Sequence, residues 1–289
     1  MKIVVIGANG QLGSDLCPVL AEDFHHEVIG MTHADLDIAS MDSTSSALSS
    51  AHPDAVINTA AMHHVEKCEN DPEQSFAVNA VGPRNLSMVC NDLGATLVQI
   101  STDYIFDGLK RSPYLEEDLP VPLNVYGSTK LTGEHFVQST AERHFVVRVS
   151  GLYGDHLCRA KGQNFVSLML RLAGERDEIS VVDDEVLTPT WTLDIAHQIG
   201  KLVSSDAENG IYHSTAEGEC SWYDFARKIF DVSQSDVHLR RAKPGEFPAK
   251  VNRPLYSVLE NAHLKRLSLN RMRPWDEALD AFLKQSPPR

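Results

Sequence analysis

Cysteine is scarce and unpatterned. The five residues, Cys17, Cys68, Cys90, Cys158 and Cys220, are odd in number and form no C-x-x-C pair, so neither a disulfide framework nor a zinc site is suggested. Positive charge is also short: 26 Lys and Arg face 40 Asp and Glu, a formal charge of −14. That balance argues against DNA or RNA as a partner, although a local basic pocket can still hold a small anion. Long apolar runs are missing as well. The opening Met1-Lys-Ile-Val-Val-Ile-Gly7 turns into a glycine-rich loop after a few apolar residues, too few for a signal-peptide core or a membrane span, and a soluble cytoplasmic protein is expected. No internal repeat and no low-complexity segment occurs. Histidine is plentiful, at 13 residues, but His25-His26 and His63-His64 are adjacent pairs rather than i,i+4 pairs, which points to hydrogen bonding rather than to a metal.

At 289 residues the chain can hold one large α/β domain with a smaller appendage. Ile3 to Ile6 read as a buried parallel strand that runs into Gly7-Ala-Asn-Gly-Gln-Leu-Gly13, followed by a helix through Leu16, Val19 and Leu20. Strand, glycine turn and helix N-terminus in succession suit a pyrophosphate, because glycines admit the anion to the backbone and first-turn N–H groups point at it. Further strands are expected at 27–31, 53–61, 96–100 and 145–149, with helices near 40–50 and over 72–91, the latter ended by Gly94. The alternation specifies a doubly wound parallel sheet of Rossmann type, with a smaller C-terminal substrate-binding region. Residues 1–150, completed by parts of 179–213, form the expected dinucleotide-binding domain; residues 151–178 and 214–289 form the substrate-binding region. Thr32 and His33, at the end of the second strand, leave the choice between NAD and NADP open.

Asn124-Val-Tyr-Gly-Ser-Thr-Lys130 places a phenol and an ammonium four residues apart in helix-compatible sequence, on one face. A free tyrosine, with a pKa of about 10, is a poor proton carrier at neutral pH, and a neighbouring cation that stabilises the phenolate is what makes it useful. The fourth strand delivers Ser101 and Thr102 to its C-terminal edge, where open α/β sheets keep their ligands. Ser101 is expected to cap backbone, and Thr102 to be the hydroxyl open to a substrate. The run Arg240-Arg-Ala-Lys243 through Lys250 and Arg253 is the densest basic stretch. Arg240 and Arg241 stand between phosphate contact and a solvated loop.

Together, GANGQLG at 7–13, STDYIFDG at 101–108 and YGSTK with LTGE at 126–134 resemble the extended short-chain dehydrogenase/reductase superfamily, and within it the dTDP-4-dehydrorhamnose reductase family. DLDIAS at 35–40, INTAA at 57–61, GQNF at 162–165, TPTWTLDIA at 188–196 and NRP at 252–254 carry the likeness over nearly the whole chain. The resemblance implies reduction of the 4-keto group of a nucleotide-linked 6-deoxysugar, dTDP-4-dehydrorhamnose to dTDP-rhamnose, with NADPH or NADH as hydride donor. It implies Tyr126 as proton donor, Thr102 as a second hydrogen-bond donor to the same oxygen, and Lys130 on the nicotinamide ribose. Gly7, Gly10, Gln11, Leu12 and Gly13 would shape and contact the pyrophosphate site, Asp37 and Ile38 the adenine end, and Ala61, Met62 and His63 the ribose-nicotinamide side. Thr102, Asp103, Asn164 and Arg253 would meet the substrate, and a homodimer is a possible partner state. Two departures stand out. Gly151 occupies the place where family members often carry a tryptophan against the sugar. Asp15 matches one ligand of a magnesium cluster described for some members, but Leu193 falls where another acid would be, so no metal is expected. Two alternatives remain: an epimerase or dehydratase, for which Asp103 could serve as the extra acid, and a non-catalytic regulatory subunit resembling the methionine adenosyltransferase β-subunit.

Overall fold

Short apolar runs separated by helices assemble one parallel sheet in the structure, a computed structural model that describes residues 1–156, 162–243 and 245–285. Cys158 and Lys161 lie outside them. The six sheet strands are β1 (Lys2–Ile6), β2 (Glu27–Met31), β3 (Ala55–Asn58), β4 (Thr96–Thr102), β5 (His144–Val149) and β6 (Gly210–His213). They lie in the order β2-β1-β3-β4-β5-β6, every pair parallel. Chain direction across the sheet therefore reverses between β1 and β3, the crevice where such sheets bind ligands.

No strand forms between β2 and the first helix after it. Side chains there claim the backbone: Asp35 accepts from Thr32 N and Thr32 Oγ1, both at 2.8 Å, and Asp37 Oδ1 accepts from Ala39 N at 3.0 Å. Such local bonds turn the chain and compete with a ladder.

Helices cover both faces: α1 (Gln11–Glu22), α2 (Met41–Ala51), α3 (Val65–Asn70), α4 (Pro72–Phe76), α5 (Gly82–Leu93), α6 (Val125–Thr140), α7 (Phe165–Glu175), α8 (Thr192–Val203), α9 (Trp222–Ser233), α10 (Ala262–Arg266) and α11 (Trp275–Gln285). Strand alternation sends Ile3 and Val5 to one face, against Leu16 and Leu20 of α1 and Ile195 and Ile199 of α8. Val4 and Ile6 go to the other, with Leu48 of α2, Leu86 and Val89 of α5 and Val137 of α6. Each such side chain contributes roughly 1.5–3 kcal/mol when fully buried. The helix expected over 72–91 is interrupted by a π turn at Ala77–Val81, and Gly94, in the left-handed conformation, ends it as expected.

Beyond β5 a second core gathers Tyr153, Trp191, Phe225, Ile229 and Phe282 beneath α7, α9 and α11. Among the described residues no helix is long and apolar enough to cross a membrane.

Candidate active site

The turn after β1 closes tightly. Gly7 has φ 79°, a conformation that favours glycine, and a Cβ on Gly13 would drive into Gly7 O, so α1 starts hard against the strand end. That start, at Gly10, has no side-chain cap, and Gln11 Nε2 is buried without a hydrogen-bond partner among the described residues. Uncapped first-turn N–H groups beside an orphaned amide are what a pyrophosphate would satisfy. The residues present thus fit a dinucleotide.

A cavity of about 1270 Å³ opens there and runs to the C-terminal region, more than one small ligand requires. Gly7, Gly10, Gln11 and Leu12 line one end, and Asp37, Ile38, Ala61 and His63 stand beside them. Gly13 shapes the turn from behind, and Met62 is held away from the lining by Asn79. From within the π turn, Asn79 Oδ1 accepts Met62 N at 2.9 Å and Nδ2 donates to Met62 O at 2.8 Å. Asn79 was recognisable in the sequence only as a polar residue among apolar helix positions.

Tyr126 and Lys130 enter from α6, whose N-cap Asn124 accepts from Gly127 N at 2.8 Å and, through Nδ2, donates to Asn252 O at 2.9 Å. Burial pushes the Tyr126 phenol well above its ordinary pKa, with the Thr102 hydroxyl pulling the other way, so it is protonated at neutral pH. Tyr104 stands edge-on to it, ring centroids 5.8 Å apart. Lys130 Nζ donates to Ile100 O at 2.6 Å, and burial pushes the ammonium down to about 8, opposed by Glu134. Lys130 is thus not what sets the phenol's state here; burial is.

Ser101 does not cap backbone as expected. Its hydroxyl donates to Glu134, a buried acid that also holds Arg148. Thr102 Oγ1 donates to Asp103 Oδ1 at 3.0 Å, and engaging a substrate oxygen requires that hydroxyl to rotate. Asp103 Oδ2 accepts from Ser150 at 2.8 Å and Ser257 at 2.6 Å; burial pushes this carboxyl up, and the three hydroxyls oppose it.

Asn164 reaches the cavity lining, but its carboxamide is engaged: Oδ1 caps α7 through Ser167 N at 2.9 Å and Nδ2 donates to Gly154 O at 2.8 Å. Of the basic stretch, Arg240 is paired with Glu178 and Glu246, Arg241 with Asp183 and Lys250 with Glu66. Arg253 lines the cavity, exposed, with no ion pair among the described residues. Gly151 has φ 57°, and a Cβ there would lie 2.9 Å from Leu187 Cδ1 and 3.0 Å from Pro189 Cα, so no larger side chain fits as the backbone stands. Glu116, Glu117 and His263 are the one group among the described residues with metal-like spacing. They lie outside the cavity, with His263 Nε2 already 2.6 Å from Glu117 Oε1.

A parallel sheet with a glycine turn at its switch point, facing a Tyr-x-x-x-Lys helix across one cavity, defines a short-chain dehydrogenase/reductase. The chain belongs to the dTDP-4-dehydrorhamnose reductase family: the family model for the RmlD substrate binding domain matches residues 1–287. It is 37% identical to the dTDP-4-keto-6-deoxy-D-glucose reductase of Streptomyces niveus, over 96% of this chain and 94% of that one. Among solved structures, it resembles a dTDP-4-dehydrorhamnose reductase from Clostridium acetobutylicum (40% identity, TM-score 0.93, 99% of both chains). One from Bacillus anthracis in complex with NADP matches at 35% identity with TM-score 0.93, over 99% of both chains.

Proposed function

We propose that this protein is an NAD(P)H-dependent reductase of the 4-keto group of a nucleotide-linked 6-deoxysugar, converting dTDP-4-dehydrorhamnose to dTDP-rhamnose. The observation that carries the reading is the meeting of a half-buried, protonated Tyr126, Thr102 and Lys130 with the uncapped α1 terminus in one cavity. Relatives named dTDP-4-dehydrorhamnose reductase over nearly the full length support it. Bound NADPH or NADH would supply hydride to the carbonyl carbon. As charge builds on the oxygen, the Tyr126 hydroxyl gives up its proton to it, and Lys130 steadies the phenolate left behind. Gly10, Gln11 and Leu12 would hold the pyrophosphate, Asp37 and Ile38 the adenine end, and Lys130 the nicotinamide ribose.

Residues 1–150 with 210–213 serve the cofactor in this reading, and the C-terminal region serves the sugar nucleotide. Asp103 is bound by three hydroxyls, which disfavours it as the free acid a dehydratase would need. We extend the reading to a cytoplasmic homodimer. Purified protein mixed with a panel of nucleotide-linked 4-keto sugars should consume NADPH or NADH stoichiometrically, and the same preparation should sediment as a dimer. Turnover without net cofactor consumption would make it an epimerase or dehydratase.

Arg253 lines the cavity with no ion pair among the described residues, and its planar fork suits paired hydrogen bonds to the substrate's phosphates. Arg253→Ala should raise KM for the nucleotide sugar about 10-fold or more, the worth of a charged hydrogen bond. NADPH affinity should stay the same. Equal KM values would remove Arg253 from the site.

A further inference from the structure

Lys130 shares its burial with a carboxylate that the mechanism above does not use. Glu134, one turn further along α6, is 1% exposed and falls on the helix face of Tyr126 and Lys130. Successive residues of β4 hold the pair: Ile100 O accepts from Lys130 Nζ, and the Ser101 hydroxyl donates to Glu134 Oε1. Ser101 is in register with Arg148 of β5. The Arg148 guanidinium, itself buried, closes on the same carboxylate, with Nε at 3.1 and 3.2 Å and Nη2 at 2.8 Å.

We propose that Glu134 is the positioning residue that keeps Lys130 a cation, at the foot of a buried column that runs from Tyr126 through Lys130 to Arg148. The proposal rests on the reductase reading, in which Lys130 must be charged to hold the ribose and steady the phenolate. A buried ammonium without a counter-charge gives up its proton. Among the described residues, no other carboxylate shares a hydrogen bond or ion pair with Lys130. Burial raises the Tyr126 phenol and the Cys68 thiol, which keeps both neutral. His213, at 3.3 Å from Arg148 Nη1, is pushed well below its usual range and stays neutral. Two further buried carboxylates bond elsewhere: Asp103 accepts from the hydroxyls of Thr102, Ser150 and Ser257, and Glu116 from His213 N and His263 N. Glu134 remains as the carboxylate able to offset Lys130, and Arg148 competes for it.

That competition gives a test with opposite signs. The pH at which kcat/KM and NADPH affinity fall off on the alkaline side should move down by about 1 unit or more in Glu134→Gln, the size expected for loss of a nearby opposite charge. It should move up in Arg148→Met, which leaves the carboxylate to Lys130 alone. A ¹⁵N NMR titration of Lys130 Nζ in cofactor-free protein should show the same two directions. If Glu134→Gln does not fold, the Glu134→Gln/Arg148→Met double variant removes both buried charges and should still move the limb down. An alkaline limb and an Nζ titration unchanged in folded variants would overturn the proposal and leave Glu134 a structural partner of Arg148. If the parent protein reduces no sugar nucleotide, the reductase reading fails, but the NMR comparison still decides what Glu134 does to Lys130.

Discussion

Tyr126→Phe is expected to cut turnover about 10²–10⁴-fold, the contribution of proton transfer by a positioned group. Burial holds the phenol protonated at neutral pH, so the residue stands loaded as an acid, and removing its oxygen deletes the donor without altering the ring. The ring's neighbour, Tyr104 at 5.8 Å, keeps its edge-on contact. Affinity for NADPH, read by its fluorescence, should therefore stay within about twofold while kcat collapses, the pattern of an interaction made only in the transition state. A loss of turnover below tenfold would take the acid role from Tyr126.

Gly13→Ala should be damaging by another route, through binding. A methyl on Gly13 would push into Gly7 O, and neither backbone has room to yield while Gly7 N and Ala8 N donate to Met31 O at 2.8 and 3.1 Å. The start of α1 must then back away from the tip of β1, and the first-turn N–H groups lose their aim. NADPH affinity should fall at least about tenfold, and overpacking of this kind costs roughly 1–3 kcal/mol of stability. Fluorescence titration and a thermal melt read the two effects separately. Cofactor affinity within twofold of the parent would mean that the glycine turn is a packing device with no part in binding.

Gly7, Gly13 and Tyr126-x-x-x-Lys130 could be placed from sequence alone because each depends on neighbours close in the chain. The same holds for Gly94 at the end of α5. What escaped depends on residues far apart. Ser101 and Arg148 converge on Glu134 only because β4 and β5 pair in one particular register, which no local pattern announces. Asn164 lines the cavity as its motif leads one to expect, but its amide is also bonded to Gly154 O and Ser167 N. Arg240 and Arg241 formed a basic run in sequence, but strand pairing and the following turn bring Glu178, Glu246 and Asp183 to them.

The Asn124 carboxamide touches two parts of the chain at once, the first turn of α6 and the carbonyl of Asn252. It sits two residues before Tyr126 and grips the residue before Arg253, so the helix of Tyr126 and the loop of Arg253 share one hinge pin. Lifting that loop breaks the bond to Asn252, worth about 1 kcal/mol, which makes the lifted arrangement roughly fivefold rarer than it would otherwise be. One carboxamide therefore ties the loop of Arg253 to the helix start two residues before Tyr126.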